Sequence, residues 1–194
     1  MDKAKMMDAL YDDYKKRFCD KEIVLGTGNL EAKILMVGEA PGKDEVRLSR
    51  PFSGMAGRNL DEFLSLLDIG RSSIYITNAI KYRLAKTNPK TGRISNRPAT
   101  RREIIESREY LIGEIDIINP EYIVTLGNTA LWAVTGDFGL NVGTLHGKIH
   151  KILNKEKPNI KLYSLYHPAS IIYNRSLKST YIEDILRLKD EICR

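Results

Sequence analysis

Apolar positions along the chain switch between two periods, and the switching predicts alternating helices and short buried strands. Met6, Leu10, Tyr14 and Phe18 recur every four residues, which predicts an amphipathic helix over 2–18. The run 34–37 is continuously apolar and ends at Gly38, the pattern of a strand buried on both faces. A glycine-rich loop, 38–42, follows it. Leu60, Phe63, Leu64 and Leu67 share one face of a predicted helix over 58–67. Residues 74–76 predict a second strand ending at Thr77 and Asn78. A loop over 81–97 contains the turn residues Asn88, Pro89 and Gly92. Pro98, Ala99 and Thr100 open a long helix to 118, which Asn119-Pro120 stops. Residues 122–126 predict the third strand, with Gly127 leading into a helix through Trp132. A small β excursion is expected over 140–152. The fourth strand is 162–165, running into Tyr166-His167-Pro168, and 181–192 predicts the last helix. There is no internal repeat, low-complexity tract or linker. The alternation predicts one α/β domain over 1–194, built on a short, mostly parallel sheet.

Composition narrows the class. A chain of 194 residues can bury a full core without staples, and 42% hydrophobic with 29% charged residues is a globular balance. No apolar run approaches the roughly 20 residues of a membrane span. The charged start, Met1 to Lys5, leads into no apolar segment, so no signal peptide is expected. The two cysteines, Cys19 and Cys193, form no CxxC pair and fit a reducing cytoplasm. Net charge is +6, and it is concentrated. Nine basic residues between Lys81 and Arg108 oppose only Glu103 and Glu106, a local +7, so the rest sums to −1. A local basic excess suggests a loop facing a polyanion, although a solvated surface loop weighs equally on charge alone.

The chemistry-bearing residues gather at strand ends. Glu39 and Glu45 follow the first strand, Asn78 the second and His167 the fourth. Open α/β sheets bind ligands outside the carboxyl ends of their strands, so an acid, an amide and an imidazole are expected to share one cleft.

Five stretches carry a resemblance: GEAPGKDE (38–45), RPFSGMAG (50–57), ITNAIKYR (76–83), INPEYIVTLG (118–127) and YHPASII (166–172). In this order they resemble the uracil-DNA glycosylase superfamily, and most its family 4. The resemblance implies a three-layer sandwich with a short, mostly parallel four-stranded central sheet flanked by helices. It implies a base-flipping DNA repair enzyme that hydrolyses the N-glycosidic bond of deoxyuridine. Glu45 then positions or activates water, or stabilises the oxocarbenium-like sugar, with Asp44 in reserve. Asn78 reads the uracil edge, Phe52 stacks on the base, and Gly38 and Glu39 complete the uracil pocket. His167 hydrogen-bonds O2 of the departing uracil. Ser53 and Gly54, with Ala56 and Gly57, are expected to approach phosphates. Ser170 contacts phosphate, and Ile171 or Ile172 fills the gap left in the duplex. Arg93 and Arg97 are expected on DNA, and His146 lines the cleft or meets phosphate. The bland readings remain beside these: a surface acid, a strand-end cap, and core packing for Phe52 and the isoleucines.

Three departures qualify the resemblance. Family 4 members typically hold an iron–sulfur cluster on four cysteines; here Tyr82 and Ser107 stand at two of those positions, and the N-terminal CxxC pair is missing. No cofactor or metal is therefore expected. The loop over 84–97 is long, comparable to an insertion in a covalent uracil-linking relative whose trapping histidine falls at about 92–96, and this chain has no histidine in that loop. Ser95 there is an unactivated hydroxyl, so no trapped product is expected. Val46 replaces an acid common after Glu45. The expected partner is uracil-containing DNA, single- or double-stranded, with no membrane, bound by a monomer. The competing readings are a glycosylase of the same fold for hypoxanthine or xanthine, and a catalytically weak damage-binding protein. A phosphate-loop enzyme fails because no GK[ST] follows the glycine turn.

Overall fold

The computed structural model describes residues 2–151 and 159–193, with Lys151, Ile172 and Tyr173 described by their backbone alone. The N-terminal helix α1 (Lys3–Arg17) is followed by strands β1 (Thr27–Gly28) and β2 (Ile34–Gly38) and by helices α2 (Lys43–Leu48) and α3 (Met55–Leu66). Next come β3 (Tyr75–Asn78), a hairpin of β4 (Ala85–Thr87) and β5 (Ile94–Asn96), and α4 (Arg101–Ile118). The remainder is β6 (Tyr122–Leu126), α5 (Asn128–Thr135), α6 (Val142–Leu145), β7 (Ile149–Lys151), β8 (Lys161–Leu165), α7 (Ser170–Tyr173) and α8 (Leu177–Ile192).

The central sheet has the order β1-β3-β2-β6-β8-β7, six strands rather than the expected four. The four expected strands form its parallel middle, and β1 and β7 add antiparallel edges. Strand β7 lies within the β excursion expected over 140–152, whereas β1, two residues long, is too short to show a period. Every residue of β2, β3 and β6 is buried, as helices on both faces require. Leu35, Val37 and Ile123 pack with α1, α4 and α5, while Ile34, Met36 and Val124 pack with α3 and α8.

The face of α1 differs from its expected face. Met7, Tyr11, Tyr14 and Phe18 are buried, while Met6 and Leu10 sit at the rim of the same core. A strict four-residue spacing drifts around a helix of 3.6 residues per turn, so only a mixed three-and-four spacing keeps one face inward. Helix α4 begins as expected: Thr100 Oγ1 accepts from Glu103 N–H, and the Glu103 carboxylate accepts from Thr100 N–H at 2.9 Å. It ends on Asn119 in the left-handed region, φ 52°, before Pro120.

Four aromatic rings join the end of α1 to α4 and to the segment after β3. Tyr14 lies 4.6 Å from Phe18 and 4.8 Å edge-on to Tyr110, and Phe18 lies 5.1 Å from Tyr82. Tyr82 is buried in this group. Truncating it leaves a cavity that neighbouring rings fill poorly. Tyr82→Ala is expected to cost about 3 kcal/mol in urea unfolding, with no recovery on adding iron and sulfide during expression.

Candidate active site

The carboxyl ends of β2 and β3 lie side by side, with Gly38 paired in register with Asn78. A Cβ on Gly38 would fall 2.4 Å from Asn78 Oδ1 and 2.5 Å from Phe52 Cζ, so only glycine lets the amide and the ring close over this strand end. Asn78 is 2% exposed, and its Nδ2 has no partner among the described residues. A buried amide with an unused donor is what a site complementary to a ligand acceptor contains.

Phe52 is placed by its backbone. It has φ 53°, a conformation bulky residues rarely adopt. Its N–H donates to Glu45 Oε1, and its carbonyl accepts from Arg71 Nη2 at 2.7 Å. Arg71 is itself held by Asp61, 2.6 Å from its Nε. A Cβ on Gly57 would strike the Phe52 carbonyl oxygen at 1.8 Å, so this glycine serves chain packing rather than phosphate approach. The Phe52 ring belongs to the core cluster on the α3 face and lies 6.0 Å from the His167 ring, 27° from parallel. It is thus both core and site wall.

Glu45 is held by two backbone amides, Phe52 N–H on Oε1 and Gly42 N–H on Oε2 at 2.6 Å. Burial raises its pKa above the usual carboxylate value, against the lowering pull of those amides and of Arg71. Asp44 instead faces Arg47, 3.6 Å away on the surface. Glu39 turns its Oε1 to Ala99 N–H at 2.8 Å, tying the glycine loop to the start of α4. His167 Nδ1 accepts from Ala169 N–H at 3.1 Å, so the neutral ring carries its proton on Nε2. Burial lowers the His167 pKa to about 4, and the imidazole is neutral at pH 7.

Behind Asn78 lies a charged pair with no solvent contact. Lys81 Nζ is 3.0 Å from Glu114 Oε2, and both side chains are 0% exposed. The ammonium also donates to the Asn78 carbonyl at 3.1 Å, and Glu114 Oε1 accepts from the Tyr11 and Thr77 hydroxyls. Nothing in the sequence distinguishes Lys81 from its basic neighbours, and Glu114 sits on an ordinary helical face.

The profile of the Uracil DNA glycosylase superfamily matches residues 25–188. The chain belongs to this superfamily. It is 34% identical over 173 residues to the Type-4 uracil-DNA glycosylase of Archaeoglobus fulgidus, covering 88% of this chain and 81% of that protein. The Type-4 uracil-DNA glycosylase of Thermotoga maritima is also 34% identical, over 172 residues, 88% of this chain and 83% of its own. A DNA polymerase of Bacillus phage SP01 is 27% identical over 161 residues, 82% of this chain and 16% of the polymerase.

The iron–sulfur cluster implied by the family 4 resemblance does not fit these residues. Four thiolates are needed, whereas the chain has two cysteines, both exposed, on α1's trailing loop and after α8. Tyr82 and Ser107, which stand where the resemblance implies two of the family's cysteines, are both buried, Tyr82 among aromatic rings. Among the described residues no group of three or more His, Cys, Asp or Glu is arranged to hold a metal ion.

Several expected DNA contacts are engaged elsewhere. Arg97 pairs with Glu103 through both terminal nitrogens, at 2.9 and 2.6 Å, so its fork closes on α4 rather than facing a phosphate. That pairing lowers the Glu103 pKa to about 2. Ile171 is 8% exposed within the core cluster on the α8 face, which removes it as a free wedge. The Ile172 side chain lies outside the described residues. Ser53 donates its hydroxyl to the Arg50 carbonyl, and Gly54 caps α3 with only Asp44 nearby. Ser170 opens α7, its N–H on the His167 carbonyl at 2.8 Å. Arg93 and Ser95 are exposed on the hairpin. His146 is bound to Asp184, Nδ1 to Oδ2 2.7 Å, and its ring lies 4.8 Å from that of Tyr166.

Two predictions follow from burial. Lys81→Met strands Glu114 in the interior and is expected to cost about 3–5 kcal/mol in urea unfolding, with Lys81→Met/Glu114→Gln recovering part of the loss. The His167 pKa of about 4 lies below its unfolded value near 6.5, so the unfolded chain takes the proton first on acidification. Stability is expected to fall between pH 6.5 and 4, and His167→Asn to flatten that slope in urea midpoints measured at pH 7 and 5.

Proposed function

We propose that the protein is a monofunctional uracil-DNA glycosylase that releases free uracil from DNA and leaves an abasic site. The observation that carries this is the buried Asn78 amide with its unused Nδ2, closed over by Phe52 and Gly38. Uracil presents an N3–H donor and an O4 acceptor, which match Oδ1 and Nδ2. Cytosine reverses both positions, and a desolvated site discriminates strongly against unmatched polar groups.

The reaction divides between two held groups. The C1′–N1 bond breaks, and its electron pair leaves on uracil. His167, neutral with a proton on Nε2, donates a hydrogen bond to O2 of the departing anion. The Glu45 carboxylate, fixed by Gly42 and Phe52 amides, faces the positive charge developing on the sugar and takes a proton from the attacking water. Uracil regains its proton from solvent. These steps use no metal, cluster or lysine adduct, and we propose that the protein works without a cofactor, as a monomer, in the cytoplasm. Single- or double-stranded DNA would reach the site past the basic hairpin, where Lys86, Lys90 and Arg93 are exposed.

Labelled uracil-containing oligonucleotides, treated with protein and then alkali, should be cleaved at uracil and not at hypoxanthine or xanthine. Glu45→Gln and His167→Ala should each slow release at least about 100-fold. Intact activity in both variants would refute the site. The Glu45 pKa is raised, so the rate should fall with acidification through an ionisation above 4.5, and His167→Asn should retain this limb at its lower rate. Replacing Lys86, Lys90 and Arg93 together by Gln should reduce the salt dependence of DNA binding by up to about three phosphate contacts, while an unchanged slope would remove the hairpin from the interface.

A further inference from the structure

We propose that Asn96, the last residue of β5, holds the attacking water together with Glu45. The inference rests on the glycosylase reading and adds a residue to that site. The return strand of the basic hairpin runs back along the glycine loop, as the Ala99 N–H on Glu39 also shows. Arg83 Nε donates to Asn96 Oδ1 at 3.2 Å. An arginine nitrogen only donates, so the amide oxygen faces Arg83 and its NH2 group faces the other way.

That NH2 group faces Gly42. Asn96 Nδ2 lies 3.3 Å from the position a Cβ on residue 42 would take, and Glu45 Oε2 lies 3.2 Å from the same position. A donor and a carboxylate oxygen thus border one gap, which exists because residue 42 has no side chain. Glu45 Oε2 accepts from Gly42 N–H, which leaves the oxygen a second lone-pair direction. Asn96 is exposed, so the gap opens to solvent. A water there accepts from Asn96 and donates to Glu45, and its remaining lone pair is free. As the C1′–N1 pair leaves on uracil, that lone pair forms the C1′–O bond and the proton passes to Glu45. Asn96 orients the nucleophile and exchanges no proton.

The test is single-turnover release of uracil from a labelled oligonucleotide under saturating protein, beside the affinity for the same oligonucleotide without uracil. Asn96→Ala and Asn96→Leu are expected to slow release about 10- to 100-fold with affinity within twofold. That is less than the loss of an oxyanion donor, because the amide positions the water without stabilising the departing charge. Gly42→Ala should also slow release, since its methyl enters the gap; the backbone at Gly42 is extended, φ −91°, and accepts alanine without strain. Adding Asn96→Ala to Glu45→Gln should produce little further loss. Thermal melts check that each variant is folded, and Asn96→Leu serves if Asn96→Ala is not. Release within twofold of the parent overturns the inference. Weakened affinity with an unchanged saturated rate makes Asn96 a DNA contact and overturns it as well. A parent protein that leaves uracil DNA intact overturns the glycosylase reading, and the inference with it.

Discussion

The Lys81–Glu114 pair is the constraint around which the rest is arranged. Two charges without solvent contact are costly to bury, and hydrogen bonds from their neighbours offset part of that cost. Here the Asn78 carbonyl accepts from the ammonium and the Tyr11 and Thr77 hydroxyls donate to Glu114 Oε1, while Oε2 faces Lys81 as an ion pair alone among the described residues. Those partners belong to α1 and β3, and Glu114 itself to α4, so the pair binds three elements at one point. Tyr75 extends it, its hydroxyl 2.7 Å from that of Tyr11. A small displacement of any of these elements would leave a charge unmatched. The carboxyl end of β3 is therefore held stiffly, and with it the amide at the base of the cleft.

The other wall of the cleft is held by a different device. Phe52 occupies an unfavourable backbone region and is kept there by Glu45, Arg71 and the close approach of Gly57. Strain of this kind persists only where surrounding contacts over-determine it. The consequence is a carboxylate, an aromatic ring and a neutral imidazole fixed before any ligand arrives. A site that changes little during reaction stabilises developing charge without reorganisation.

Tyr82, at one of the positions where the family 4 resemblance implies a cysteine, packs among aromatic rings. Tyr14, Phe18, Tyr82 and Tyr110 join α1, α4 and the segment after β3 through burial and edge contacts. Just beyond them the basic segment folds into a hairpin instead of trailing as a loop. Its return strand lines the glycine loop, so the most charged stretch of the chain also borders Glu39 and Glu45.

The sequence by itself determined the α/β alternation, the four parallel strands and the caps of α4. These are local quantities: periodicity, capping chemistry and short motifs are written in consecutive residues. The superfamily was legible for the same reason, because its motifs are short and ordered. Only tertiary structure decided which charges are buried, which arginine is already paired and which isoleucine is core. The basic run does not record that Arg97 pairs with Glu103, nor does the motif record that Ile171 packs in the core. Lys81, Arg71 and Asn96 carried no signal of their own. Each meets groups 10 to more than 50 residues away in the chain, and a side chain's neighbours across such distances are set by packing, which no local pattern records.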